Sequence, residues 1–312
     1  MSIGEAPGKV ILLGEHAVVH GHPALAAPVH QVRARAEILD AQPEPSDDLW
    51  VEAPDIGLAS WLRAMDPEAA IPTALRLTQT AIGSPSLPAV TLRLTSTIPV
   101  AAGLGSGAAI TLAIVRALSE HVGRSLPLDQ QSAIVFEVDK VHHGTPSGID
   151  NTVITYGEPI RFQAGAPARR LQLARALPLL IADSGVASPT GKAVAGVRQR
   201  LQQSPAETLA CFEAIHRIVD RGTAAVEQGQ LDAFGACMNE NQSQLRSLGV
   251  SSPPLERLVE AAIGAGALGA KLSGAGLGGN VVVLVRAATA PDVADALRKA
   301  GARRILETEV PA

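Results

Sequence analysis

The segment Pro99-Val-Ala-Ala-Gly103-Leu-Gly105-Ser106-Gly107-Ala108-Ala109 runs straight into an apolar helical stretch, and that pattern could bind phosphate. Glycines let backbone N–H groups converge on an anion, and a helix N-terminus adds unpaired donors and a partial positive charge. A tight helix entry rich in small residues would look the same by glycine spacing alone. A dinucleotide fingerprint would need a strand ending at the first glycine and an acid about 20 residues on. Here the strand ends near Leu94 and Glu120 comes too early, so that reading fails. Gly274-Ala-Gly276-Leu-Gly278-Gly279 contains a literal G-x-G-x-x-G but lies between two strands. It reads as a glycine hairpin, either purely structural or one whose backbone approaches a ligand or another loop. Gly185 to Lys192 is one residue too long for a Walker A loop and continues with Ala193 where the metal-binding hydroxyl belongs. Any nucleotide is bound without such a loop.

Charged groups in small-residue settings come next. Lys9 stands between Gly8 and Val10-Ile-Leu-Leu, at the entrance of an apolar strand, although a strand lysine ordinarily faces solvent. Glu15-His16 follows Gly14, where Glu15 could equally cap a turn. Asp150 lies in Gly144-Thr-Pro-Ser147-Gly148-Ile-Asp150-Asn151 and could cap the segment that follows. Glu137 and Asp139 sit on the helix before that loop, a position where carboxylates are normally solvated. His20-Gly-His22 and His142-His143 invite a metal test. Zinc wants three or four ligands at workable spacing, and no cysteine lies near either pair, so metal binding by these histidines is not expected.

The elements that must position these groups follow from periodicity. Strands are expected at 3–13, at 32–39 with Ala34, Ala36 and Ile38 alternating against Arg33, Arg35 and Glu37, and at 90–94. Helices are expected near 56–65, 73–82, 106–121 and 129–142, with Asp129 as an N-cap. Short strands are expected at 161–162 and 171–173. Beyond a buried strand at 179–182, helices are expected at 190–203, 206–227, 231–245 and 254–265. Strands at 269–273 and 280–285, a helix at 291–300 and a strand at 303–308 close the chain. Strands first and helices later make an α+β arrangement. A domain boundary is placed near residue 175, giving domains 1–175 and 176–312.

Composition bounds the rest. The 312 residues are 46% hydrophobic and 18% charged, too apolar for a disordered chain. A formal charge of -4 and only 2% aromatics argue against nucleic-acid binding. Cys211 and Cys237 form no Cys-x-x-Cys pair, which fits a reducing cytosolic compartment. The apolar run Ala108 to Val115 is stopped by Arg116, well short of the roughly 20 residues that span a bilayer. A soluble cytoplasmic protein is expected. Exposed apolar residues on the strand near 32–39 could support a homodimer.

Three motifs in order carry a resemblance. Pro7-Gly8-Lys9 to Gly14-Glu15-His16, Pro99 to Ala109, and Lys271-Leu-Ser-Gly274-Ala-Gly276-x-Gly278-Gly279 resemble the motifs of the GHMP small-molecule kinases. Within that superfamily, Gly14-Glu-His-Ala-Val-Val-His-Gly21, His143-Gly-x-Pro-Ser147-Gly-Ile-Asp150-Asn151 and Thr190 ahead of Val194-Ala-Gly-Val-Arg198 resemble the mevalonate kinases. The resemblance implies an N-terminal ribosomal-protein-S5-like domain and a C-terminal ferredoxin-like domain, with ATP and substrate meeting in the cleft between them. It implies Asp150 and Lys9 as the catalytic pair, close together in space. Pro99, Ala102, Gly103, Leu104, Gly105, Ser106, Gly107 and Ala108 would bind the nucleotide. Glu15, His16, Ser147, Thr190, Gly274 and Ala275 would line the mevalonate pocket. Asp139, where the family usually has glutamate, and Ser106 would hold Mg²⁺. The motif's usual second serine is replaced by Gly107, and water could fill that coordination position.

Overall fold

The computed structural model describes residues 1–312 except 45, 100–102, 144 and 145, with His142 and His143 described by backbone alone. It divides into two compact units that interleave along the chain. Unit 1 comprises residues 1–8, 30–99 and 105–157; unit 2 comprises 9–29, 100–104 and 158–312. The chain passes from one unit to the other within β1 (Ser2–Leu13) and β2 (Ala24–Leu39), which pair with each other.

In unit 1, residues Ala34 to Leu39 of β2 pair antiparallel with β5 (Thr91–Ser96). β5 pairs in parallel with β3 (Trp50–Ala53), and β3 forms an antiparallel hairpin with β4 (Leu58–Trp61). The expected alternation is realised: Val32, Ala34, Ala36 and Ile38 are buried, while Arg35 turns outward to pair with Glu5 and Glu37. The apolar residues proposed for a dimer are therefore consumed by the core of the chain itself. The helix expected at 56–65 does not form. Gly57 adopts φ 68°, ending a short 3-10 turn, and the segment that follows becomes β4, locked by an edge-on contact of Trp50 and Trp61 at 4.9 Å between ring centroids. A cross-strand aromatic pair outweighs a weak helical period.

Helices α1 (Ala70–Ile82), α2 (Ser106–Val122) and α3 (Leu128–His143) pack on one another, with α4 (Ile149–Tyr156) against α2 and α3. Asp129 lies in the first turn of α3, which begins at Leu128, rather than capping it. Arg116, the residue that interrupts the apolar run of α2, joins these elements. Its guanidinium donates to Glu5 O at 2.8 Å, Thr155 O at 3.0 Å and Gln131 Oε1 at 3.2 Å.

Unit 2 holds β6 (Ile160–Phe162) between the start of β2 and β7 (Arg169–Arg170). The short strand expected at 171–173 falls instead at β7, just before it. Next come β8 (Leu177–Asp183), α5 (Thr190–Gln203), α6 (Pro205–Glu227), α7 (Leu231–Ser247) and α8 (Pro253–Gly264). Then follow β9 (Gly269–Ser273), β10 (Asn280–Leu284), α9 (Ala290–Lys299) and β11 (Arg304–Val310). The sheet order is β11-β8-β10-β9 with every pair antiparallel. Numbered from β8, that is 4-1-3-2 in a β-α-β-β-α-β chain, the ferredoxin-like arrangement. β9 and β10 are wholly buried, as strands covered on both faces are. Among the described residues no helix is long and apolar enough to cross a membrane, and both cysteines are free.

Candidate functional site

The site begins where β1 ends. Gly14 holds φ 103°, and a Cβ there would stand 2.6 Å from Ala24, so only glycine turns the chain at this point. Its N–H donates to Asn241 Oδ1 on α7 at 2.9 Å. The turn delivers Glu15 and His16 into the interior, at 1% and 6% exposure. Glu15 Oε1 accepts from the Lys271 ammonium of β9, itself fully buried, and that ammonium also donates to Leu272 O at 2.6 Å. Burial pushes the Glu15 carboxyl up and the Lys271 ammonium down from their ordinary values, while their contact pulls each back toward the charged form. Lys9, 3% exposed, adds a second positive field on Glu15. Glu15 Oε2 is buried with no hydrogen-bond partner among the described residues, an acceptor left for a ligand hydroxyl or water.

His16 carries φ 61°, a left-handed conformation uncommon outside glycine, and its Nε2–H donates to Ala275 O at 2.9 Å. Burial pushes its pKa down to about 4, so the ring is neutral at pH 7 and leaves Nδ1 as an acceptor. The unfolded chain takes up this proton near pH 6.5 and the folded chain only near pH 4. Acidification through that window therefore favours unfolding, by a difference approaching about 3 kcal/mol at its lower end. The variant His16→Asn, which tolerates the positive φ, should flatten this part of the pH profile of urea midpoints. An unchanged slope would assign it to other groups.

The two glycine-rich turns meet in unit 2. A Cβ on Gly103 would lie 3.3 Å from Ser273 O, and one on Gly274 would lie 3.5 Å from Gly103 Cα. The 274–279 turn is thus one whose backbone approaches another loop, one of the two alternatives its sequence offered. Lys9 N–H donates to Leu104 O at 3.0 Å, tying β1 to the same turn. Ser273 Oγ accepts from Ile11 N at 3.0 Å and donates to Ile11 O at 3.1 Å, fastening β9 to β1. Ser188 Oγ donates to Gly276 O at 2.9 Å, and Thr190 opens α5 half-buried just beyond.

In unit 1, Gly105 is the left-handed N-cap of α2 at φ 74°. Ser106, Gly107 and Ala108 form the first turn, which carries no acid and no side-chain cap, so its N–H donors and positive pole are left for an anion. Gly107 is exposed and Ser106 half-buried; Pro99 is half-buried, and Ala102 lies outside the described residues. Asp139 is 6% exposed on α3. A carboxylate and a hydroxyl are hard oxygen donors of the kind Mg²⁺ takes alongside several waters, so Ser106 and Asp139 fit that ion. Gly148, at φ 91°, caps α4 rather than Asp150, which stands half-buried in the helix's first turn where its charge suits the dipole. Ser147 Oγ accepts from Ile149 N at 3.4 Å. Asn151 Nδ2 donates to Ser132 Oγ at 2.9 Å, anchoring α4 to α3.

Lys271, Asn241 and Gln242 also form part of this environment, the two amides outside the motifs of the sequence that carry chemistry. Gln242 Oε1 accepts from Leu272 N at 3.0 Å, and Asn241 Nδ2 is buried with no partner among the described residues. The signal was present: Phe234, Met238, Asn241, Gln242 and Leu245 share the helical stripe that faces the core. Amides on that stripe stand out once the apolar period is traced.

Residues 69–158 match the GHMP kinases N terminal domain family, and residues 223–303 match the GHMP kinases C terminal family. The chain is 32% identical to a mevalonate kinase of Pyrococcus horikoshii over 96% of its own length and 92% of the relative's. The crystal structure of L. major mevalonate kinase in complex with R-mevalonate superposes with a TM-score of 0.84 at 28% identity, covering 100% of this chain and 97% of the other. That of Methanococcus jannaschii mevalonate kinase gives 0.86 at 25% identity, covering 99% and 98%.

Proposed function

The chain belongs to the mevalonate kinase family of the GHMP kinases, and from that premise we infer that it transfers the γ-phosphoryl group of ATP to the C5 hydroxyl of mevalonate, giving 5-phosphomevalonate and ADP. What supports this reading is the convergence in unit 2 of Lys9, Glu15, His16, the turn beginning at Gly274, and Gly103 and Leu104 of the phosphate segment, in a chain aligned nearly end to end with mevalonate kinases.

Phosphoryl transfer asks mainly for positioning and charge neutralisation. Residues 103–108 hold the β- and γ-phosphates through main-chain N–H groups and the positive end of α2. Glu15 Oε2 accepts a hydroxyl of mevalonate, which completes the hydrogen bonding of that buried oxygen. His16, Thr190, Gly274 and Ala275 are the further substrate-binding residues of unit 2, and Ser147 is that of unit 1. The C5 oxygen forms the new bond to phosphorus as the bond to the β–γ bridging oxygen breaks, and Asp150 orients the hydroxyl and accepts its proton. Lys9 stabilises negative charge on the transferring group. Ser106 and Asp139 would hold Mg²⁺, which would supply positive charge against that of the triphosphate. The reaction takes place in the cytoplasm.

A substrate panel with coupled ADP detection tests the assignment. Mevalonate should be turned over with the highest kcat/KM among mevalonate, phosphomevalonate, homoserine and sugars. A preference for phosphomevalonate would reassign the chain within its superfamily, and ATP binding with no ADP formed on any alcohol would make it a silent nucleotide binder.

A further inference from the structure

His22, Glu213 and His216 come together on the surface of unit 2, where sequence spacing alone could not have joined them. Glu213 and His216 are three residues apart on α6 and so project from one face of the helix. His22 follows the short helix Ala17–His20, whose C-cap Gly21 is left-handed. Gln163 Nε2 donates to Gly21 O at 2.9 Å and His22 N donates to Ala17 O at 3.2 Å, fixing the backbone that carries the ring. The two imidazoles meet through their Nδ1 atoms at 3.3 Å, edge to face, and all three ligand atoms lie within 4.8 Å of one another.

That spacing has a specific meaning. Two nitrogens bound tetrahedrally to one zinc at about 2.0–2.1 Å stand about 3.3–3.4 Å apart. The Nδ1 pair already has this separation, and the exposed Glu213 carboxylate closes the third position by a rotation of its own side chain. The far nitrogen of His216 faces a carboxylate, Asp220 Oδ2, at 3.5 Å, the outer-shell partner that metal-bound histidines commonly have. Asp220 is in turn held by Arg161 at 2.8 Å. Phe212 stacks on His20 at 4.5 Å and stands 5.9 Å from His22, giving the cluster an aromatic wall.

We propose that His22, Glu213 and His216 form a binding site for a divalent first-row transition ion of the zinc type, with water completing a four-coordinate set. Two borderline imidazole nitrogens beside one carboxylate suit Zn²⁺ and Co²⁺ far better than Mg²⁺. The site is separate in its residues from the Ser106–Asp139 pair and does not depend on the kinase assignment.

Co²⁺ reports on the site directly, because a four-coordinate ion shows intense visible absorption and an octahedral aqueous one does not. The untagged, chelator-stripped chain titrated with Co²⁺ should develop that absorption to one equivalent, and Zn²⁺ should abolish it. His22→Ala and His216→Ala should each remove the signal while circular dichroism and turnover of mevalonate stay at parental values. Glu213→Gln, at an exposed position, should weaken binding without any folding consequence. Asp220→Asn should cost roughly 10–100-fold in affinity. Absence of the absorption at micromolar protein and metal, or its persistence in both histidine variants, would overturn the proposal and leave the pair as an ordinary imidazole–imidazole hydrogen bond.

Discussion

Asp150→Asn should lower turnover of mevalonate by about a hundred- to ten-thousand-fold, the range that a positioned proton acceptor contributes, while nucleotide binding measured by calorimetry stays unchanged. Asparagine keeps the shape of the side chain in the first turn of α4 and removes only its charge and basicity. The nucleotide, by contrast, is assigned to the main chain at the start of α2, where no acid participates. An interaction made only in the transition state lowers kcat and kcat/KM together. Initial rates across mevalonate concentrations therefore separate this role from simple binding, which would raise KM alone. Turnover close to the parental value would remove Asp150 from the mechanism and leave Lys9 and the backbone donors as its source. Lys9→Met in parallel should also lose turnover, because it removes the positive charge proposed to stabilise the transferring group.

The second large effect is on stability. Glu15→Met strands the Lys271 ammonium in the interior with Leu272 O as its one remaining acceptor among the described residues, and should destabilise the chain by about 3–5 kcal/mol in urea unfolding. Glu15→Met combined with Lys271→Met should recover most of that loss, because two apolar groups of similar volume need no desolvation of charge. The double variant would then be stable yet poor at binding mevalonate, having lost the buried acceptor Oε2. A single variant within about 1 kcal/mol of the parent would mean that the pair is not held as ions, which the burial of both partners makes a sharp test.

Much of this molecule is readable from local pattern. The alternation from Val32 to Ile38 gives β2 its buried face, and the long apolar periods of α2, α6 and α7 give helices close to their expected bounds. Glycines at 14, 103 and 105 mark turns because few other residues adopt their φ values. Order and identity of three short motifs were enough to indicate the kinase family, since each motif answers to a local backbone requirement. The misreadings are local in another sense. Residues 56–65 have a weak helical period, and pairing with β3, with Trp61 against Trp50, makes Leu58–Trp61 a strand instead. Asp150 looks like a cap until Gly148 takes that place.

What tertiary structure alone decided is which distant residues share one environment. Lys271 and Glu15 are 256 positions apart, and a lysine in a strand reads as a solvated residue until both faces of β9 are covered. His22 gains its partners only because α6 packs against the turn that carries it, so a metal test confined to neighbouring residues returns nothing. Secondary structure follows from interactions a few residues long, which the order of side chains specifies directly. Burial, the displaced pKa of His16 and the meeting of ligands depend on how much water the whole fold excludes, and that is a property of the packed chain rather than of any segment in it.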